Sequence, residues 1–100
     1  MDTVNDKKKD EIYHILKHFL AEVIGEDTVE ALDISRASVF TKDMEMDSIE
    51  IVSFAEKVKS KYGDKIDFIG WLSGMNMMDL YNLSLGQVVD FIADASHSDK

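Results

Sequence analysis

Residues 47–62 read DSIEIVSFAEKVKSKY, and this stretch decides the fold because a helix start signal is followed by a single apolar face. Asp47 is a typical N-cap residue, and Glu50 stands three positions later, as in a capping box. Apolar side chains then recur at the spacing of one helix face: Ile51, Phe54, Ala55, Val58 and Tyr62. We predict a helix that begins after Asp47, with Ser48 exposed in its first turn because the buried face runs through other positions.

The segment before this helix contains a second helical pattern. Seven apolar residues follow one helix stripe: Ile12, Ile15, Leu16, Phe19, Leu20, Val23 and Ile24. Gly25 comes directly after the stripe, where glycine commonly ends a helix. From residue 26 to residue 46 the periodicity fades, and turn-forming residues surround isolated apolar anchors. We therefore predict a first helix followed by a long loop with room for one short helical turn.

The segment after residues 47–62 contains two further helical regions. Residues 66–83 are unusually apolar, but Gly70 and Gly74 interrupt the pattern, which predicts one or two short helices. Ser84 and Gln87 form another capping-box pattern before a final apolar face that ends near Ala95. The chain has no proline, no strand-like alternation and no repeat. These patterns predict one all-α domain over residues 1–100, with a core of about residues 10–95.

The charge of the chain restricts its partners. Twenty acidic residues against 11 basic ones leave a net charge of −9. A phosphate backbone would be repelled by this charge, so we expect no nucleic-acid binding. The same charge can steer a small domain towards basic patches on protein partners.

The composition also bears on the compartment. The chain has no cysteine, which excludes a disulfide framework, a thiolate metal site and a nucleophilic thiol. No apolar h-region follows the basic run at residues 7–9, and no apolar run approaches membrane-spanning length. We expect a cytoplasmic monomer without membrane insertion.

The tripeptide Asp47-Ser48-Ile49 resembles the Asp-Ser-Leu attachment motif that opens the second helix of acyl carrier proteins. The surrounding chain is similar as well. Phe40 matches a phenylalanine seven residues before the motif aspartate, and Met44 matches an aliphatic residue three before it. Residues 83–92, LSLGQVVDFI, are similar to the last helix of that family. The resemblance covers roughly residues 10–95, although the tripeptide alone is a weak motif.

This resemblance implies a fold and a function. The fold is an acyl-carrier-like four-helix bundle with a long first loop, in which residues 66–83 form an extended, apolar third helical segment. The implied function is non-enzymatic: Ser48 carries a 4'-phosphopantetheine arm on which acyl groups are held as thioesters, and Asp47 assists loading by helping to hold the transferase's metal ion. The implied partners are a phosphopantetheinyl transferase and acyl-ACP synthetase, ketosynthase or acyltransferase enzymes. Such carriers serve fatty-acid, lipid or lipopolysaccharide, and polyketide biosynthesis.

The acidic residues around Ser48 have two interpretations. By resemblance, Glu45, Glu50 and Glu56 form the partner surface, with the helix becoming basic at residues 57–61. Alternatively, Asp47 and Glu50 form an ordinary capping box that serves helix stability alone. The chain also departs from the family pattern. Glu45 stands where glycine is common, Ile49 replaces leucine, and Ser53 replaces an acid.

Residues 66–83 exceed the usual third helix of the family by about two helical turns. One interpretation is a remodelled acyl pocket, with methionines at positions 75, 77 and 78 as adaptable lining around Trp71. The other is plain core packing, which is the more common role of apolar stripes at helical spacing. The residues predicted to form this acyl pocket or core are Phe40, Phe54, Trp71, Met75 and Leu80.

Other functions are less well supported. A peptidyl carrier domain is an alternative, although Asp47 before the serine disfavours it. A helical binding module of the calcium-sensor kind would need an Asp-x-Asp-x-Asp-Gly loop, which is absent. Ser48, His14 and Asp47 supply the residue types of a catalytic triad, but the chain has no Gly-x-Ser-x-Gly elbow. His14 and His18 are four residues apart without a clear third ligand, so we expect surface histidines rather than a metal site.

Overall fold

The computed structural model describes residues 3–63 and 66–97, and the side chains among them except those of residues 3–6, 96 and 97. Every regular element among the described residues is a helix, and none is a strand. None of the helices in these ranges has both the length and the apolar character that a membrane crossing requires. The six helices are α1 (Thr3–Ile24), α2 (Glu26–Leu32), α3 (Ser48–Tyr62), α4 (Phe68–Ser73), α5 (Met77–Tyr81) and α6 (Leu85–His97).

Helix α1 lies at the centre of the packing, because α2, α3 and α6 all contact it. Its predicted apolar stripe faces this core, and Leu16 and Leu20 are fully buried. Burying one such side chain contributes about 1.5–3 kcal/mol. Helix α6 contributes five more fully buried residues: Leu85, Val88, Val89, Ile92 and Ala93. The predicted capping box of α6 is also confirmed, since Gln87 N donates to Ser84 Oγ and Ser84 N donates to Gln87 Oε1.

The predicted long first loop is shorter than expected, because its first part is the helix α2. Gly25 separates α1 from α2 with φ 100°, a backbone conformation that favours glycine. Val29 is the only residue of α2 that is buried. A helix of this length with one anchor leaves little periodic signal in the sequence, and packing against α1 stabilises it.

The remaining loop, residues 33–47, is held against the start of α6. Phe40 N donates to Leu83 O at 3.1 Å, and Leu85 N donates to Ser38 O at 2.9 Å. Gly86 N donates to Arg36 O at 2.8 Å, and a Cβ on Gly86 would lie 3.0 Å from that same oxygen. Glycine at this position therefore permits the close approach that holds the loop against the start of α6.

The apolar segment 66–83 forms two short helices, α4 and α5, as its glycines suggested. Asp67 caps α4, its Oδ1 accepting from Gly70 N at 3.3 Å. Asn76 caps α5, its Oδ1 accepting from Asp79 N at 2.8 Å. Helix α4 contacts α3 and buries Phe68, whereas no residue of α5 is buried. The first half of the segment therefore contributes to the core, whereas the second half lies outside it.

Candidate functional site

Ser48 is the first residue of α3, and it is exposed to solvent. The predicted capping box is present: Glu50 N donates to Asp47 Oδ1 at 2.9 Å, and Asp47 N donates to Glu50 Oε1 at 3.2 Å. The cap supplies acceptors for some of the backbone N–H groups at the helix start, and the helix dipole leaves this end partially positive. An anion attached to the Ser48 oxygen would be stabilised there.

The three predicted surface acids take different positions around Ser48. Glu45 is exposed in the loop just before the helix, and Glu56 is exposed two turns further along α3. Glu50 is half-buried and engaged in the capping box. Its capping role is therefore shown by the structure, while Glu45 and Glu56 make the more accessible acidic surface.

The basic end of α3 is smaller than the sequence suggested. Lys57 Nζ lies 3.0 Å from Glu22 Oε1 on α1, and this hydrogen-bonded ion pair holds the pKa of Glu22 below its ordinary value. His18 Nε2 lies 3.1 Å from the other oxygen of the same carboxylate. Lys57 thus belongs to the α1–α3 contact, and only Lys59 and Lys61 are exposed in the last turn, where they complement the helix dipole.

Glu45 has a left-handed backbone conformation, with φ 52°. Its neighbours Met44 and Met46 are both buried, and their amides donate to Val39 O and Phe40 O. The chain must therefore turn sharply between two inward-pointing side chains, and Glu45 takes the conformation that this turn requires. Glycine would adopt this backbone conformation without the steric cost that a Cβ imposes at positive φ.

We expect Glu45→Gly to stabilise the domain by about 0.5–1 kcal/mol, because relief of left-handed strain outweighs the entropy cost of glycine. Ala37→Gly is the matched control, since Ala37 lies in the same loop without a positive φ. This substitution should destabilise the domain by about 0.5–1 kcal/mol, because glycine adds only its entropy cost there. Urea unfolding of both variants measures the difference. A Glu45→Gly protein less stable than the parent would contradict the strain argument.

An apolar cleft of about 470 Å³ lies beside Ser48, between α3, α4 and α5. Ser48 and Glu56 both line it, so it extends about 12 Å along α3 at the helical rise per residue. Its polar groups lie at Ser48, Thr41, Glu56 and Ser73, and the rest of its wall is largely apolar. The lining residues are Thr41, Met46, Ser48, Ile51, Val52, Ala55, Glu56, Ile69, Leu72, Ser73, Met77, Leu80 and Tyr81.

The residues predicted to form an acyl pocket or core fall into two groups. Phe40 and Phe54 are core residues, with ring centroids 5.3 Å apart. Trp71 is partly buried and stacks on Phe91 at 4.2 Å, and Met75 also packs against the core. Leu80 is the one member of these five that lines the cleft, and Met77 is the one of the three methionines predicted as pocket lining that does so.

Much of the cleft wall was not identified from the sequence. Val52 carried a usable signal, because it is an apolar residue that falls outside the buried stripe of α3. Ile69 and Tyr81 lie in the apolar segment 66–83, but their periodicity did not assign them to a pocket, because their placement depends on how α4 and α5 pack. Thr41 is placed by a long-range hydrogen bond in which its Oγ1 donates to Tyr81 O at 2.6 Å.

His14 and His18 pair with different acidic residues and do not form a shared site. His14 Nε2 lies 3.6 Å from an Asp10 oxygen, while His18 pairs with Glu22. In the described ranges, no group of three or more histidine or acidic side chains is arranged to hold a metal ion.

Neither a protein family, nor a curated protein, nor a solved structure matches this chain.

Proposed function

We propose that this protein is an acyl carrier protein that bears 4'-phosphopantetheine on Ser48. The observation that supports this most is the exposed Ser48 hydroxyl at the start of a 15-residue helix, at the edge of an apolar cleft. The phosphopantetheine arm can be attached at this hydroxyl while the apolar acyl chain that it carries is sheltered in the adjacent cleft. The proposed fold is a four-helix bundle in which α1, α3 and α6 are the principal helices and α4 with α5 replaces the third helix.

The residues around Ser48 fit a phosphodiester. The oxygen bonded to phosphorus would lie at the positive end of α3, and the exposed first turn leaves room for a transferase. Asp47 uses Oδ1 for the cap, which leaves its second carboxylate oxygen for the metal ion used during loading. When attached, 4'-phosphopantetheine supplies the thiol that holds an acyl group as a thioester.

The cleft fits an acyl chain, because its wall is mainly apolar and Ser48 lines it. Sheltering an aliphatic chain removes apolar surface from water at about 25 cal/mol per Å². Helices α3 and α4 supply the fixed side of this shelter, since they contact each other and Phe68 anchors α4 in the core. The proposed role of the chain's own residues is to hold and shield the cargo.

The proposed partners are a phosphopantetheinyl transferase and the synthetase, ketosynthase or acyltransferase enzymes that load and use the cargo in the cytoplasm. The net charge of −9 would accelerate encounters with basic enzyme surfaces. Glu45 and Glu56 are the exposed acids that flank this contact. We propose a monomer as the working form.

Incubation with a broad-specificity phosphopantetheinyl transferase and coenzyme A should add one phosphopantetheinyl group to the protein, as measured by intact mass. Peptide mapping should place the group at Ser48. An unchanged mass, in a reaction where the same transferase loads a control carrier, would refute the proposed function.

A further inference from the structure

Large apolar side chains are exposed on α3 and α5, the helices beside the cleft. Among the side chains that the structure describes, five large apolar ones are more than half exposed: Ile49 (75%), Val52 (56%), Met77 (86%), Met78 (70%) and Tyr81 (54%). Val52, Met77 and Tyr81 line the rim of the same cleft. Ile49 precedes Val52 by one helical turn, and Met78 follows Met77 at the start of α5. We call these five residues the methionine face.

The exposure of this face is not explained by the core. Helix α5 buries none of its residues, so Met77 and Met78 contribute little to folding stability. Thr41 Oγ1 donates to Tyr81 O and attaches the end of α5 to the loop before α3, while Asn82 Nδ2 donates to Met78 O within the C-terminal cap of α5. Val52, Met77 and Tyr81 expose apolar surface along one cleft, and such exposure on a small domain marks an interaction site. Methionine adapts to differently shaped partners.

Charges around the face define what can bind there. Exposed acidic side chains lie near the methionine face on α3, on α5 and in the loop before α3: Glu45, Asp47, Glu56 and Asp79. Lys42 adds a positive charge, with its Nζ 5.3 Å from the centre of the Tyr81 ring. An apolar centre with a mostly acidic rim is complementary to an apolar surface bordered by arginine and lysine.

We propose that the methionine face is the docking surface for the enzyme that modifies Ser48, a proposal that rests on the proposed function. The apolar centre of the enzyme's surface packs on Met77, Met78 and Ile49, and its basic rim meets Glu45 and Glu56. Val52, Met77 and Tyr81 of the face line the same cleft as Ser48, so a partner seated on the face has the hydroxyl within reach. A second copy of this acidic chain would bring like-charged rims together, and an anionic membrane would be repelled in the same way.

The test uses the double variant Met77→Gln/Met78→Gln, because glutamine keeps side-chain length and helix propensity while removing the apolar contact. The probe is a purified broad-specificity phosphopantetheinyl transferase with unacylated coenzyme A, so no acyl chain enters the cleft during the assay. We expect the KM for the carrier to rise about tenfold, as for loss of an interface hot spot, while kcat changes little. Leu32→Gln is the matched control, since Leu32 is an exposed apolar residue on α2, and its KM should stay that of the parent.

The outcomes separate the two proposals. An unloaded parent protein would refute the carrier function itself, whereas a loaded parent with an unchanged KM in the double variant would overturn only the docking surface. Ile49→Gln provides a second variant on α3, and melting temperatures of all variants establish that they fold. If sedimentation equilibrium shows that the parent is a dimer and the double variant is a monomer, the face is instead assigned to self-association. Cosedimentation with phosphatidylglycerol vesicles would assign it to a membrane.

Discussion

Ser48→Ala is expected to abolish phosphopantetheinyl attachment completely while the domain stays folded. The transferred group is joined through the Ser48 oxygen, and alanine has no atom that can form this bond. Ser48 is exposed at the first position of α3, so its loss should change the free energy of unfolding by no more than about 0.5 kcal/mol. Intact mass after the transferase reaction measures attachment, and the melting temperature reports on the fold.

Ser53→Ala is the control for this variant. Ser53 is an exposed serine on the same helix, five residues further along, and its replacement should leave loading at the level of the parent. Attachment that survives in Ser48→Ala and disappears in Ser53→Ala would move the site to Ser53. Attachment in both single variants would show that another hydroxyl accepts the group.

Phe54→Ala is expected to lower the free energy of unfolding by about 3–5 kcal/mol, the usual cost of truncating a buried aromatic residue. Phe54 is 2% exposed, and its ring lies between those of Phe40 at 5.3 Å and Phe68 at 6.4 Å. It therefore joins the loop, α3 and α4 in one contact. Domains of this kind are stable by only about 5–15 kcal/mol, so the variant should be close to unfolding at physiological temperature.

Urea unfolding followed by circular dichroism measures this loss. Phe54→Leu should cost less because it keeps most of the buried volume. Val52→Ala, an exposed position on the same helix, should stay within about 0.5 kcal/mol of the parent. A Phe54→Ala protein as stable as Val52→Ala would show that the aromatic contact does not hold α4 against α3.

Local sequence signals predicted the helix that places the candidate site. The start of α3 was predictable because a capping box involves residues three positions apart, and the structure contains both of its hydrogen bonds. Its buried face was predictable for the same reason, since Phe54, Ala55 and Val58 follow the helical period and are all buried. The exposure of Ser48 then follows from the phase of the helix.

Contacts between distant residues decided the rest. Glu45 takes a positive φ because Met44 and Met46 both bond back to residues 39 and 40, which no local pattern shows. Helix α2 forms through its contact with α1 rather than through its own propensity.

The sequence by itself determined that this is an all-helical chain with a serine exposed at a capped helix start. It left open whether the apolar residues after position 66 serve the core or the surface. The tertiary structure places Phe68 in the core and leaves Met77 and Met78 exposed beside the cleft. The physical reason is that periodicity defines which side chains share a face, whereas only the packing of one helix against another decides whether that face meets protein or solvent.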